Sequence, residues 1–117
     1  MKFDEFTVSF LLARPDAPKL REAEGNRLQD AHLRYLSKLH DEGNLLAPGP
    51  VIGPRTHPLR GFCIFRVPPD EAKKLMEDDP MFKAGRHIHE HHPWMVPTGV
   101  ISFPKSHLPV STSEVSD

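Results

Sequence analysis

From about Glu5 to Ala13, Phe6, Val8, Phe10 and Leu12 interleave with Thr7, Ser9 and Leu11. Side chains of a strand point to opposite faces in turn, so this period of two predicts a first β-strand. Arg14-Pro15-Asp16-Ala17-Pro18 stops it. From Lys19 to Asp41 the spacing lengthens. Leu28, Ala31, His32, Tyr35, Leu36 and Leu39 recur at three- and four-residue intervals, with Arg27, Asp30, Arg34 and Lys38 opposite them. That is the stripe of a long amphipathic helix, and Gly43 beyond it suits the left-handed turn that closes helices.

Leu45 to Ile52 reads as a second strand, which Pro48 and Pro50 consign to a sheet edge or a bend because proline donates nothing to a ladder. A Pro-rich loop, Gly53 to Pro58, leads to GFCIFRV, Gly61 to Val67, the clearest strand core. Pro68-Pro69-Asp70 opens a short helix over Glu71 to Glu77, with Ala72, Leu75 and Met76 on its buried face. Asp79-Pro80 begins a further turn closed at Gly85, and His87 to Val96 forms the last strand. This order predicts an α+β, ferredoxin-like split βαβ fold: a four-stranded antiparallel sheet with two main helices on one face. Residues 1–97 form the domain, and residues 98–117 a polar, Ser/Thr-rich extension expected to be loosely ordered. The uncovered sheet face would expose an apolar patch of several hundred Å² unless a second copy closes over it, so a homodimer is expected.

Composition narrows the partners. The 117 residues suit one domain, and a chain of this size buries roughly 65% of its unfolded surface. With 15 Lys and Arg against 16 Asp and Glu, the net charge of -1 offers no field to hold a phosphate backbone, which excludes nucleic acid. Near the N-terminus the longest apolar stretch, Val8 to Ala13, is broken by Ser9 and preceded by acidic residues. Neither a signal peptide nor a membrane span is expected, and a cytoplasmic location is. Cys63 stands alone, so an internal disulfide and a multi-cysteine metal site are excluded, and GFCIF reads as a buried strand thiol.

The candidate chemistry gathers between Glu77 and Pro97. Asp79 before Pro80 reads first as a helix N-cap, its side chain accepting a backbone N–H while Pro takes the first helical position. A capped carboxylate still has an oxygen to offer an imidazole. His32 sits on the apolar stripe of the long helix between Leu28 and Leu36. Its plain reading is a partly buried ring bonded to backbone; its sharper one is a general base or acid held in one tautomer by a carboxylate. HIHEHH sets His87, His89 and His91 on one strand face and Ile88, Glu90 and His92 on the other, same-face neighbours lying ~6.5–7 Å apart at Cα. Imidazoles at that spacing converge on a divalent metal, with His89 and His91 as candidate ligands and a third from His32, Asp79 or Glu90. The competing reading is a strand whose histidines only cover a half-buried surface. His40, His57 and His107 read as surface. GPVIGP and KAGR lack the strand-to-helix setting of a phosphate cradle, no GxSxG occurs, and no motif calls for an organic cofactor. Trp94 and Phe82 read as packing residues, and Arg14, Arg60 and Arg86 as solvated ends of elements that a substrate carboxylate could reach.

Four pieces, AHLRYLSKLHDEGNLLAPGPV, GFCIFRV, MEDDPMFKAG and HHPWMV, together with the first strand, resemble the YciI-like, or YCII-related, family over roughly residues 5–97. The resemblance implies a dimeric ferredoxin-like α+β barrel with a His-Asp active site, carried here by His32 of A-H-L and Asp79 of the D-P step. It also implies chemistry like that of a branch that removes chloride from a chlorinated hydroxyhydroquinone, or of related barrels that isomerise muconolactones. The chain departs from the family where His89 and His91 occupy positions usually Val-like. A small-molecule enzyme of lyase or isomerase type is therefore expected. The alternatives are a non-catalytic module holding a small ligand or metal, and a structural dimer with no site.

Overall fold

The computed structural model describes residues 1–116. β1 (Phe3–Ala13) leads into helix α1 (Glu22–Asp41), followed by β2 (Leu45–Pro50), β3 (Leu59–Phe65), α2 (Pro69–Met76), α3 (Pro80–Lys83), β4 (His87–Pro97) and a last turn of helix, α4 (Thr112–Val115). The strands form one antiparallel sheet in the order β2-β3-β1-β4, the arrangement expected of the split βαβ fold, with proline-bearing β2 at an edge. α1 begins three residues later than the apolar spacing suggests, with Arg21 at its N-cap in extended backbone and no side-chain cap on the first backbone N–H groups. β3 begins two residues earlier, since Leu59 pairs with Leu12 across an irregularity in the register.

The core lies between the sheet and the two main helices. Leu11, Leu45, Cys63 and Phe65 from the sheet meet Leu36 and Leu39 of α1 and Ala72 and Met76 of α2. β1 turns Thr7, Ser9 and Leu11 inward and leaves the more apolar set, Phe6, Val8, Phe10 and Leu12, on the outer face. Phe62 and Ile64 of β3 and Trp94 of β4 pair with that outer set, and the Phe10 and Phe62 rings meet at a tilt with centroids 5.4 Å apart. The two inward hydroxyls are satisfied: Thr7 Oγ1 donates to Val67 O at 2.6 Å, and Ser9 Oγ shares a hydrogen bond of 2.7 Å with His91 Nδ1.

Two glycines close helices onto strands. Gly43 at φ +86° and Gly85 at φ +71° occupy the left-handed region that side chains resist. After α3, Gly85 N–H donates to Phe82 O and Arg86 N–H to Met81 O, the paired bonds of a Schellman closure. That closure aims the chain from Asp79 straight into His87.

Beyond Pro97 regular structure is sparse, yet the chain is tied down at several points. Phe103 packs edge-on against Phe6 with centroids 5.2 Å apart. Lys105 Nζ donates to Asp41 O at 2.9 Å, and Thr112 N–H to Asp30 Oδ1 at 2.7 Å. His40, read from the sequence as surface, is buried: its Nδ1–H donates to Leu45 O at 2.8 Å and its Nε2 accepts from Ser106 N–H at 3.1 Å. The sequence shows His40 beside the helix end but not the extension that folds over it.

Candidate active site

α3 is only four residues long, so its position rests on its cap. Asp79 Oδ1 accepts from Met81 N–H at 3.4 Å, and Pro80 supplies the first helical position. The same oxygen accepts from His32 Nδ1–H at 2.7 Å. The cap reading and the His-partner reading of Asp79 therefore both hold in one geometry. The carboxylate is 0% exposed and His32 is 7% exposed. A hydrogen bond this dry is shielded from solvent and fixes the imidazole ring, leaving Nε2 as the nitrogen open to a ligand.

His32 borders a cleft of about 1130 Å³ that runs between the first half of α1, the loop after β1 and the Pro-rich loop from β2 to β3. Its walls include Leu11, Met81 and His87, and the extension adds Leu108, Pro109 and Val115. Arg14, Arg55, Arg60 and Arg86 stand around it. Three of these were legible as ends of elements. Here their guanidinium groups also pin the loops, Arg14 to Asp16, Arg60 to His57 O and Arg86 to Pro18 O. A smaller cavity of about 240 Å³ lies among Lys73, Glu77, Phe82, His89 and His91. Phe82 packs there on the His89 ring, centroids 5.2 Å apart.

The three inward histidines of β4 have different surroundings. His91 lies opposite Ser9, which takes its Nδ1. His89 lies opposite Leu11 and His87 opposite Ala13, neighbours with no polar side-chain atom to give. His89 Nε2 approaches Asp79 Oδ2 only to 3.9 Å. His87 Nδ1, His89 Nε2 and Asp79 Oδ2 are buried without a hydrogen-bond partner among the described residues. Burial pushes His87 and His89 down to about 4, outweighing the pull of the Asp79 carboxylate, so both rings are neutral at pH 7. Burial lowers His91 as well, with Lys73 adding to it. Of the sequence candidates, His32, Asp79 and His89 come together; His91 stands apart with Ser9. Glu90 faces outward and pairs with His92 at 3.2 Å. His87 replaces both beside Asp79, a placement that only the cross-strand register reveals.

The sequence model of the YCII-related domain matches residues 8–94, from within β1 to most of β4, and takes in His32, Asp79, His87, His89 and His91. The chain belongs to the YCII-related family. Among solved structures, this YCII-related protein is similar to 5-chloro-2-hydroxyhydroquinone dehydrochlorinase from Burkholderia phenoliruptrix AC1100, determined in complex with 2,5-dihydroxybenzoquinone. The TM-score is 0.57 at 23% sequence identity, covering 76% of this chain and 92% of that one. At that identity the likeness establishes the shared α+β fold. No curated protein matches the chain. No helix of the described residues is long and apolar enough to cross a membrane.

Proposed function

We propose that this YCII-related protein is a small-molecule enzyme of lyase or isomerase type in which His32 moves a proton and Asp79 holds His32 in place. One observation carries the reading: a dry 2.7 Å hydrogen bond between His32 Nδ1 and Asp79 Oδ1 beside a cleft large enough for a ring-sized substrate. With Nδ1 committed, His32 Nε2 takes a proton from a ring hydroxyl or an acidic C–H. The electron pair then expels a leaving group or shifts a double bond, and the carboxylate stabilises the imidazolium. The arginines around the cleft favour an oxygenated substrate that becomes anionic, such as a phenol or a lactone-derived enolate. The dehydrochlorinase of similar fold, with its bound dihydroxybenzoquinone, makes chlorinated hydroxyhydroquinones the first substrates to try.

The working form is a homodimer whose two copies cover each other's outer sheet face, where Phe10, Phe62 and Ile64 lie unprotected by any helix. The cytoplasm suits a chain whose one cysteine is buried and unpaired.

The test is turnover of a panel of chlorinated hydroxyhydroquinones and muconolactones, followed by chloride release and by absorbance. Loss of a positioned general base costs about 10²–10⁴-fold. His32→Gln and Asp79→Asn are therefore expected to lose comparable amounts of kcat while keeping the far-UV circular dichroism of the parent. Binding of 2,5-dihydroxybenzoquinone that is untouched by either substitution, together with no turnover across the panel, would replace the enzyme reading with a non-catalytic ligand-binding module.

A further inference from the structure

Three buried polar atoms lack a partner among the described residues, and all three belong to one cluster: Asp79 Oδ2, His87 Nδ1 and His89 Nε2. One ligand atom from each of these residues lies within 4.8 Å of the others. An orphaned buried polar group costs roughly 1–3 kcal/mol, so three in one cluster call for something that satisfies all of them. A slightly closer approach of His89 to Asp79 would make a hydrogen bond but would leave His87 Nδ1 stranded. We infer that Asp79, His87 and His89 form a binding site for a divalent first-row transition-metal ion such as zinc, lying between the large cleft and the smaller cavity.

The chemistry of the donors selects this class of ion. Two imidazoles and one carboxylate suit zinc, cobalt or iron(II), whereas magnesium and calcium favour oxygen donors alone. Donors around a tetrahedral ion with bonds of about 2.0–2.2 Å stand about 3.3–3.6 Å apart. The 3.9 Å between Asp79 Oδ2 and His89 Nε2 thus closes by a few tenths of an ångström. Asp79 Oδ1 is already fixed by His32 Nδ1–H and Met81 N–H, so the carboxylate is oriented with Oδ2 free. A ligand carboxylate held on its other oxygen is the usual support of such sites. Three protein ligands leave a position for water or substrate.

This inference does not rest on the proton-transfer reading, because its measure is metal uptake. The full chain, purified without a histidine tag and stripped with chelator, is dialysed against Co²⁺ and then Zn²⁺. Metal content and the visible absorption of bound Co²⁺ are recorded. One equivalent per chain is expected. Removing a direct ligand is expected to cost at least the about 10–100-fold in affinity that loss of a supporting partner costs, for His87→Ala and for His89→Ala alike. His91→Ala and His92→Ala should leave uptake unchanged. Absence of stoichiometric metal in the parent, or equal loss in His91→Ala or His92→Ala, would overturn the site. Circular dichroism checks the fold of each variant. If His89→Ala fails to fold, the half-buried His87 still decides, since retained stoichiometric Co²⁺ in His87→Ala overturns the assignment.

Discussion

Asp79 Oδ1 anchors α3 and His32 at once, so its loss should be felt in stability before any chemistry is considered. A lost cap costs ~1 kcal/mol, and a buried imidazole left unpaired ~1–3 kcal/mol more. Asp79→Ala is expected to lower the urea-unfolding free energy of the metal-free protein by about 2–4 kcal/mol. Asp79→Asn, which keeps the cap, should lose less than half of that. His87 and His89 set the acid limit. Their folded values near 4 lie below the ordinary value, so between about pH 6.5 and pH 4 the unfolded chain binds protons that the fold does not. Stability is therefore full above pH 6.5 and falls with pH through that window. The expected loss is on the order of 1–2 kcal/mol per ring once the water-facing part of each is allowed for. Thermal melts of the metal-free protein from pH 7 to pH 4 should show the decline, and His87→Gln with His89→Gln should flatten it. His32 and Asp79 were legible because a helical stripe and an Asp-Pro cap are local patterns. The distinction between His87 and His91 was not, since strand periodicity makes them equivalent and only the residue across the ladder, Ala13 or Ser9, separates them.

At the level of elements, the four strands and two main helices follow from periodicity, and their errors sit at ends where no side chain marks the boundary. Arg21 before α1 and Leu59 before β3 are such ends. The extension was illegible for another reason: its polar composition says nothing of the bonds that Lys105, Ser106 and Thr112 make to α1. Removing residues 105–117 is expected to leave a folded protein, weaker by about 1–3 kcal/mol from the lost hydrogen bonds and the exposed His40 ring. Hydrogen exchange should quicken at the C-terminal end of α1, and the large cleft loses the wall formed by Leu108, Pro109 and Val115. Gly85 at φ +71° matters in a different way. Gly85→Ala places a side chain in the left-handed region at a cost of about 1–2 kcal/mol, read as a lowered urea midpoint.

For the whole molecule the informative contrast is between the two faces of β1. The outer row of Phe6, Val8, Phe10 and Leu12 is partly covered by Phe103 at one corner and by no helix. Light scattering is expected to give the mass of two chains, with Phe10→Asp combined with Phe62→Asp giving one. The inner row, Thr7 and Ser9, is less apolar than the outer one, so hydrophobicity alone does not say which way β1 should face. Shifting a strand by a single residue exchanges its two rows, and such a slip here would carry phenylalanines into the core at no evident hydrophobic cost. The hydroxyl bonds to Val67 O and His91 Nδ1 exist in one register only. Thr7 and Ser9 thus act as keys that choose among alignments the apolar residues would tolerate, and the same choice sets His87 and His89 facing Asp79.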